Sequence, residues 1–217
     1  MSFPRSLSSF GPLATAVISV STIVGVALVI AGTAKRGFSA EERVRRGPPA
    51  NIDLRREEQR AFDYLNQVRS EPSAFSREIG VDLTKVKPRP PLRWSDVLAT
   101  SAQRRADDMA LRNYFGHVDP NGLGPNEIAR RMGYVFPNWW PAAAGANNIE
   151  SIEAGLAGGV EAVRSLLQDN GARTAGHRMH LLGMTDFYAS HQEIGIGFSF
   201  SPQSDYKYYL VIHTGRH

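Results

Sequence analysis

Six histidines and no cysteine define the chemistry open to this chain of 217 residues. Without thiols there is no disulfide framework, no Cys-ligated zinc, no iron–sulfur cluster and no thiol nucleophile. The histidines are His117, His177, His180, His191, His213 and His217. Two follow a glycine, in Phe115-Gly116-His117 and Ala175-Gly176-His177-Arg178, and the missing Cβ there lets another backbone or a ligand approach closely. On a helix, His177-Arg178-Met179-His180 puts two imidazoles on one face, a spacing open to a metal pair but more often one with a core or solvated histidine. Two imidazoles can bind a divalent ion while neighbouring carboxylates orient the rings, and a carboxylate beside a histidine raises its pKa. Such imidazoles and carboxylates could instead hydrogen-bond one another and pin loops together.

Other chemistries are missing from the sequence. It has no G-x-S-x-G elbow, no H-E-x-x-H, no P-loop and no G-x-G-x-x-G. Asp119-x-Asn121 with Gly124 imitates half of an EF-hand loop, but Leu123 and Arg130 occupy two ligand positions, so calcium is not expected there.

The elements that must carry the histidines can be read from periodicity. Residues 55–70 predict a helix, with Phe62, Leu65 and Val68 on one face and Pro72 beyond its end. Val86–Pro91 holds three prolines and fits neither helix nor central strand. Ser95 is a candidate N-cap for a second helix. Leu98, Ala102, Ala106 and Met109 form its buried stripe, and Arg104, Arg105, Asp107 and Asp108 are expected mostly away from it. A loop from Tyr114 to Gly124 follows, then a short helix at Asn126–Met132 and an irregular loop over 135–148 containing Trp139 and Trp140. Gly159–Asp169 predicts another helix. Ile149–Ile152, Glu193–Phe200 and Tyr206–His213 predict strands, the last two joined by a hairpin loop. Helices first and a small antiparallel sheet last make an α+β fold, with helices flanking the sheet.

The first 34 residues stand apart. Residues 6–34 carry no charged side chain, and Leu13–Ala31 is about one bilayer thickness of apolar helix, roughly 20 residues. We read 1–34 as a signal anchor or a signal peptide, 35–54 as a linker and 55–217 as the folded domain. The flank after the apolar run (Lys35, Arg36, Arg43, Arg45, Arg46) is more basic than the one before it, which by itself would hold the body in the cytoplasm. The net charge of +4 comes from the N-terminal 60 residues, since residues 61–217 hold 16 basic and 16 acidic side chains. A neutral body argues against nucleic acid as a partner.

The body resembles the CAP superfamily, also called the SCP-like domain (cysteine-rich secretory proteins, antigen 5 and pathogenesis-related proteins), in its cysteine-free bacterial form. The likeness runs from about residue 58 to 213. It rests on Leu65-Asn66-x-x-Arg69, Leu92-x-Trp94 with Leu98 and Ala102, and His117-x-x-Pro120-x-Gly122 with Arg131-x-Gly133-Tyr134. Further on come Glu150-Ser151-Ile152-x-Ala154-Gly155, Leu166-Leu167-x-Asp169, Gly176-His177-Arg178-x-x-Leu181-Leu182 and Ile194-Gly195-Ile196-Gly197. Seven such segments in family order imply the α-β-α sandwich. The resemblance also implies a cleft holding two histidines and two acids, here His117, His177, Glu150 and Asp169. Ser151 stands where Asn is usual, and an alternative alignment puts Asn147 in the place of Glu150.

The resemblance implies secretion or surface display, which outweighs the flank charges and puts the body outside the cytoplasm. It implies no single activity. Two functions are therefore carried forward. The first is a non-enzymatic protein, tethered to the membrane through residues 13–31, that binds a small apolar ligand or a protein partner in the cleft. The second is a metal-dependent hydrolase that uses His117 and His177 as ligands of a divalent ion such as zinc and Glu150 as general base. A third possibility is a docking patch made by Trp139 and Trp140 together.

Overall fold

The structure, a computed structural model, describes residues 52–170 and 174–217. The apolar run at 13–31, and with it the predicted anchor or signal segment, lies outside the described residues, as does the linker up to residue 51. Among the described residues no helix is long and apolar enough to cross a membrane.

Helix α1 (Leu54–Ser70) begins where the Asp53 carboxylate accepts the backbone N–H groups of Arg55 and Arg56, satisfying donors that the first turn leaves free. Its buried stripe is Ala61, Tyr64, Leu65 and Val68. A 3₁₀ turn (Pro72–Phe75) and the one-turn helix α2 (Ser76–Ile79) follow. Helix α3 (Asp96–Arg112) is capped by Ser95, whose hydroxyl accepts from Leu98 N, as the sequence predicts. The helix after it, α4, covers Pro125–Arg131, and α5 covers Gly159–Gln168. Two short helices, α6 (Gly176–Leu181) and α7 (Asp186–Ala189), precede the final hairpin.

The sheet has four strands in the order β1-β3-β4-β2. Strands β2 (Glu150–Ala154), β3 (Glu193–Phe200) and β4 (Tyr208–Gly215) pair antiparallel, as expected. The fourth strand, β1 (Arg93–Trp94), adds a parallel edge to β3. Two residues after a proline run carry no strand periodicity, and only the proximity of β3 makes them a strand.

Period-two alternation sorts the core into two layers. On one face Ile194, Ile196, Phe198, Leu210 and Ile212 pack against α1 and α5. On the other, Ile152, Tyr209 and Val211 pack against Ala102, Ala106, Met109 and Ala110 of α3. This is the α-β-α sandwich. Strand β3 places Gly195 and Gly197 under α3: a Cβ on Gly195 would lie 1.9 Å from Ala99 N, and one on Gly197 would lie 2.2 Å from Gln103 N. The helix therefore rests on the strand backbone, and everything α3 carries is held at short range from the sheet.

The two tryptophans of the 135–148 loop separate. Trp140 is buried, stacked on Phe136 and packed on Phe187 and His191, while Trp139 is 60% exposed. The paired surface patch is thus corrected to one exposed ring, because Phe136, Phe187 and His191 give the second ring a better place inside.

Gly197→Ala is expected to destabilise the domain by about 1–3 kcal/mol or more through overpacking. Gly116→Ala, whose Cβ would meet nothing closer than 3.9 Å, is expected to stay within about 0.5 kcal/mol. Denaturant midpoints at constant slope compare the two.

Candidate functional site

A fully buried carboxylate, that of Glu150, stands at the start of β2. One oxygen, Oε1, accepts His117 Nδ1–H at 2.9 Å. The other, Oε2, accepts Arg105 Nε–H at 3.0 Å and His213 Nε2–H at 3.0 Å. Burial by itself pushes this carboxyl up, but the His117 and His213 hydrogen bonds and the Arg105 charge outweigh it and hold it well below the usual carboxylate range.

Arg105 comes from α3, 1% exposed. Besides Glu150, its guanidinium reaches Tyr114 Oη at 2.7 Å, Gly116 O at 2.6 Å and His117 O at 3.1 Å. It therefore fixes the loop that presents His117. Arg105 was expected mostly away from the apolar stripe, and the structure corrects this. It continues the buried face of Leu98, Ser101 and Ala102, one turn further along, so the spacing already contained the signal; the charge on the residue obscured it. His213 was also missed as a site residue. It sits directly across from Glu150 in the β2–β4 register, a pairing that no single-strand pattern reveals. Burial lowers the proton affinity of His213 against the opposing pull of Glu150.

The second half of the site is built by the end of α5 and the start of α6. Asp169 closes α5 in the left-handed conformation, with φ 55°. Its carboxylate accepts His177 Nδ1–H at 2.9 Å and Arg178 N–H at 3.2 Å. The Arg178 side chain turns back to Leu167 O and Gln168 O at 2.8 and 3.0 Å. A cation thereby covers the carbonyls at the negative end of α5 and offsets the acid placed there. The His117 and His177 rings face each other with centroids 6.4 Å apart. Each has its Nδ1 tied to a carboxylate, which fixes the tautomer and turns the basic Nε2 edge away from that carboxylate.

His117, Glu150, Asp169 and His177 thus come together. Asn147 does not act as an acid in the cleft: its carboxamide oxygen accepts the N–H groups of Ile149 and Glu150, and its NH₂ donates to Glu150 O, so it caps the start of β2. Of the two readings of the His177/His180 face, the structure shows the core histidine. His180 points into the core, with Nδ1 on Ser151 Oγ at 2.7 Å and Nε2 on Thr214 Oγ1 at 2.6 Å, leaving neither nitrogen free for an ion. Among the described residues no group of three or more His, Cys, Asp or Glu side chains is arranged to hold a metal.

A concavity runs along the β3 edge that β1 leaves uncovered. This groove of about 870 Å³ is lined by Leu54, Trp94, Ala99, Leu111, Ile196 and Phe198, with charged residues also in its walls. Glu58 Oε1 and Gln103 Oε1 accept the open Phe198 N–H at 3.2 and 3.0 Å, blunting the strand edge. None of the four cleft residues lines this groove.

The profile of the CAP (cysteine-rich secretory protein) family matches residues 62–213. The chain belongs to the CAP family. No curated protein matches the chain. Among solved structures, an extracellular protein containing an SCP domain from Bacillus anthracis str. Ames is similar over 83% of this chain, at 21% identity and a TM-score of 0.50. The match covers 45% of that protein, so the chain spans less than half of its length. An outer surface protein from Borrelia burgdorferi is similar over 79% of this chain and 99% of its own, at 14% identity and a TM-score of 0.53. These likenesses are of fold. The chain reaches the CAP fold without a single cysteine, and its interior is fastened instead by Arg105, Glu150 and the buried histidines.

Arg105→Met is expected to cost about 3–5 kcal/mol at pH 7, because it strands a buried carboxylate without its cation. The depressed Glu150 pKa gives stability that is complete above the ordinary carboxyl value of 4.5 and is lost as pH falls below it. Glu150→Gln should therefore flatten the acid limb of the stability curve below about pH 4.5, as read by denaturant midpoints from pH 3 to 7.

Proposed function

We propose that this CAP protein works outside the cytoplasm by binding rather than by hydrolysis, receiving a protein partner or small ligand at the cleft between His117 and His177. The observation that carries this reading is the saturation of Glu150. A general base needs a reachable carboxylate with a lone pair to spare and a pKa near the working pH. Glu150 is sealed from solvent, has both oxygens occupied by Arg105, His117 and His213, and is held strongly acidic. What the cleft offers a ligand is a pair of partly exposed imidazole edges, each oriented from behind, suited to hydrogen-bonding a polar group. The extracellular and outer-surface character of the two neighbours supports a location outside the cytoplasm. Residues 13–31 would supply a membrane tether. An apolar ligand finds a better complement in the β3-edge groove than among the imidazoles.

The second reading, a metal-dependent hydrolase, is favoured by one feature: both imidazoles carry a carboxylate on Nδ1 and leave Nε2 for an ion. His117 and His177 would hold it, and a bound ion would supply Lewis-acid polarisation. Two nitrogens are half of a tetrahedral set, and neither carboxylate is free to complete it.

With the full chain, peptide and ester substrates offered with and without zinc should give no turnover that depends on His117. Turnover abolished in His117→Ala overturns the binding reading. Calorimetry with zinc tests the alternative: no heat in the wild type, or equal heat in His177→Ala, removes it. A photo-crosslinking residue at exposed Val118 should capture a partner on the cell surface, and His177→Ala should abolish that adduct.

A further inference from the structure

On the sheet face opposite Glu150 lies a second set of buried histidines. Ser151 follows Glu150 in β2 and so points the other way, its hydroxyl meeting His180 Nδ1 at 2.7 Å. His180 Nε2 meets Thr214 Oγ1 at 2.6 Å, and His191 Nδ1 meets the same oxygen at 2.6 Å. The hydroxyl has one proton to give, so with both rings neutral at least one of them donates N–H to Thr214. Both histidines are sealed, at 4% and 3% exposure, and the ring centroids are 5.9 Å apart. Tyr188 from α7 packs its ring against both, and Trp140 closes over His191.

Among the described residues the chamber holds no counter-charge. The ionisable groups acting on His180 are His191, His177 from its own helix, His213 from β4 and Arg69 from α1, and Arg69 is also the group acting on His191. Arg69 is 2% exposed; it donates to Leu181 O at 2.5 Å and forms no ion pair with a carboxylate among the described residues. Arg89 lies beside Arg69 and donates to Gly183 O at 3.1 Å. Asp169 faces His177, and Glu150 faces His117 and His213; neither bonds to His180 or His191. A proton arriving on this pair would meet imidazoles and a guanidinium and, among the described residues, no facing carboxylate.

We propose that His180, Thr214 and His191 form an acid-released latch: while both rings are neutral they hold α6 against the sheet, and protonation below about pH 6.5 frees α6 and carries His177 out of the cleft. The six-residue α6 bears both His177 and His180, so what loosens one displaces the other. Burial pushes His191 down to about 4 and His180 well below its ordinary 6.5. The sign follows from this. The released state takes up protons from about pH 6.5 downward and the latched state does not, so the latch is fully held above that pH and weakens up to tenfold per pH unit for each histidine. The consequence for binding rests on the cleft reading above; the latch itself does not.

Hydrogen exchange on the full chain, followed from pH 7.5 to 5.0 and corrected for the intrinsic rate, tests it. Peptides within 176–191 should lose protection about 100-fold or more, while β3 and β4 lose less than about threefold. In His180→Gln/His191→Gln the loss in 176–191 should fall below about threefold. Unchanged wild-type protection, an equal loss in β3 and β4, or the same loss in the double variant overturns the latch. If the double variant does not fold at pH 7.5, the wild-type slope decides: protection falling tenfold or more per pH unit below 6.5 supports the latch, and a shallower profile overturns it. Exchange is read without ligand or metal, so a failure of the cleft reading leaves this result intact.

Discussion

A carboxylate and a guanidinium buried together in a dry interior constrain the rest of this molecule. Glu150 and Arg105 lie on different elements, 45 residues apart in the chain, and neither keeps contact with water. Such a pair is tolerated only when nearly every hydrogen-bonding position around it is filled. That demand shapes the surroundings. It draws Tyr114, Gly116 and His117 onto the guanidinium and sets His213 against the far oxygen of the carboxylate. It also requires α3 to approach the sheet closely, which Gly195 and Gly197 permit by leaving the strand backbone bare. The glycines of β3 and the charged centre of the cleft are parts of one arrangement, linked by the distance between a helix axis and a sheet.

The two cleft histidines are held by different means, and this gives the site a rigid wall and a weaker one. His117 rests on the buried pair and inherits its rigidity. His177 rests on Asp169 and on a single short helix, whose own anchors are the Arg69 and Arg89 contacts to the carbonyls of Leu181 and Gly183 and the His180–Thr214 hydrogen bond. One imidazole is fastened to a buried ion pair, the other to a single carboxylate on a short helix that the neutral His180–Thr214 contact helps to hold.

Much of this arrangement could be read from the sequence. The Ser95 cap, the spacing of Leu98, Ala102, Ala106 and Met109, and the alternation in Glu193–Phe200 are local patterns, and local geometry obeys them. The family motifs gave the order of elements and four residues that the structure brings together, His117, Glu150, Asp169 and His177. Arg105 was hidden because a charged residue on a buried stripe reads as solvent-facing until its partner is known. His213 was hidden because cross-strand register depends on where two distant strands align. Strand β1 was hidden because two residues have no periodicity.

The sequence by itself determined the absence of thiol chemistry, the helical and strand periods, the neutral charge of the folded body and the identity of the groups available for a cleft. Those are properties of composition and of neighbours within a few positions. Only the tertiary structure decided which of six histidines keep an exposed edge and which are sealed away. It also decided that Glu150 is a saturated anchor and Asn147 a cap. The reason is physical: a side chain's protonation, exposure and bonding are set by groups that meet it through space, and those groups here come from residues 33, 45 and 63 positions away.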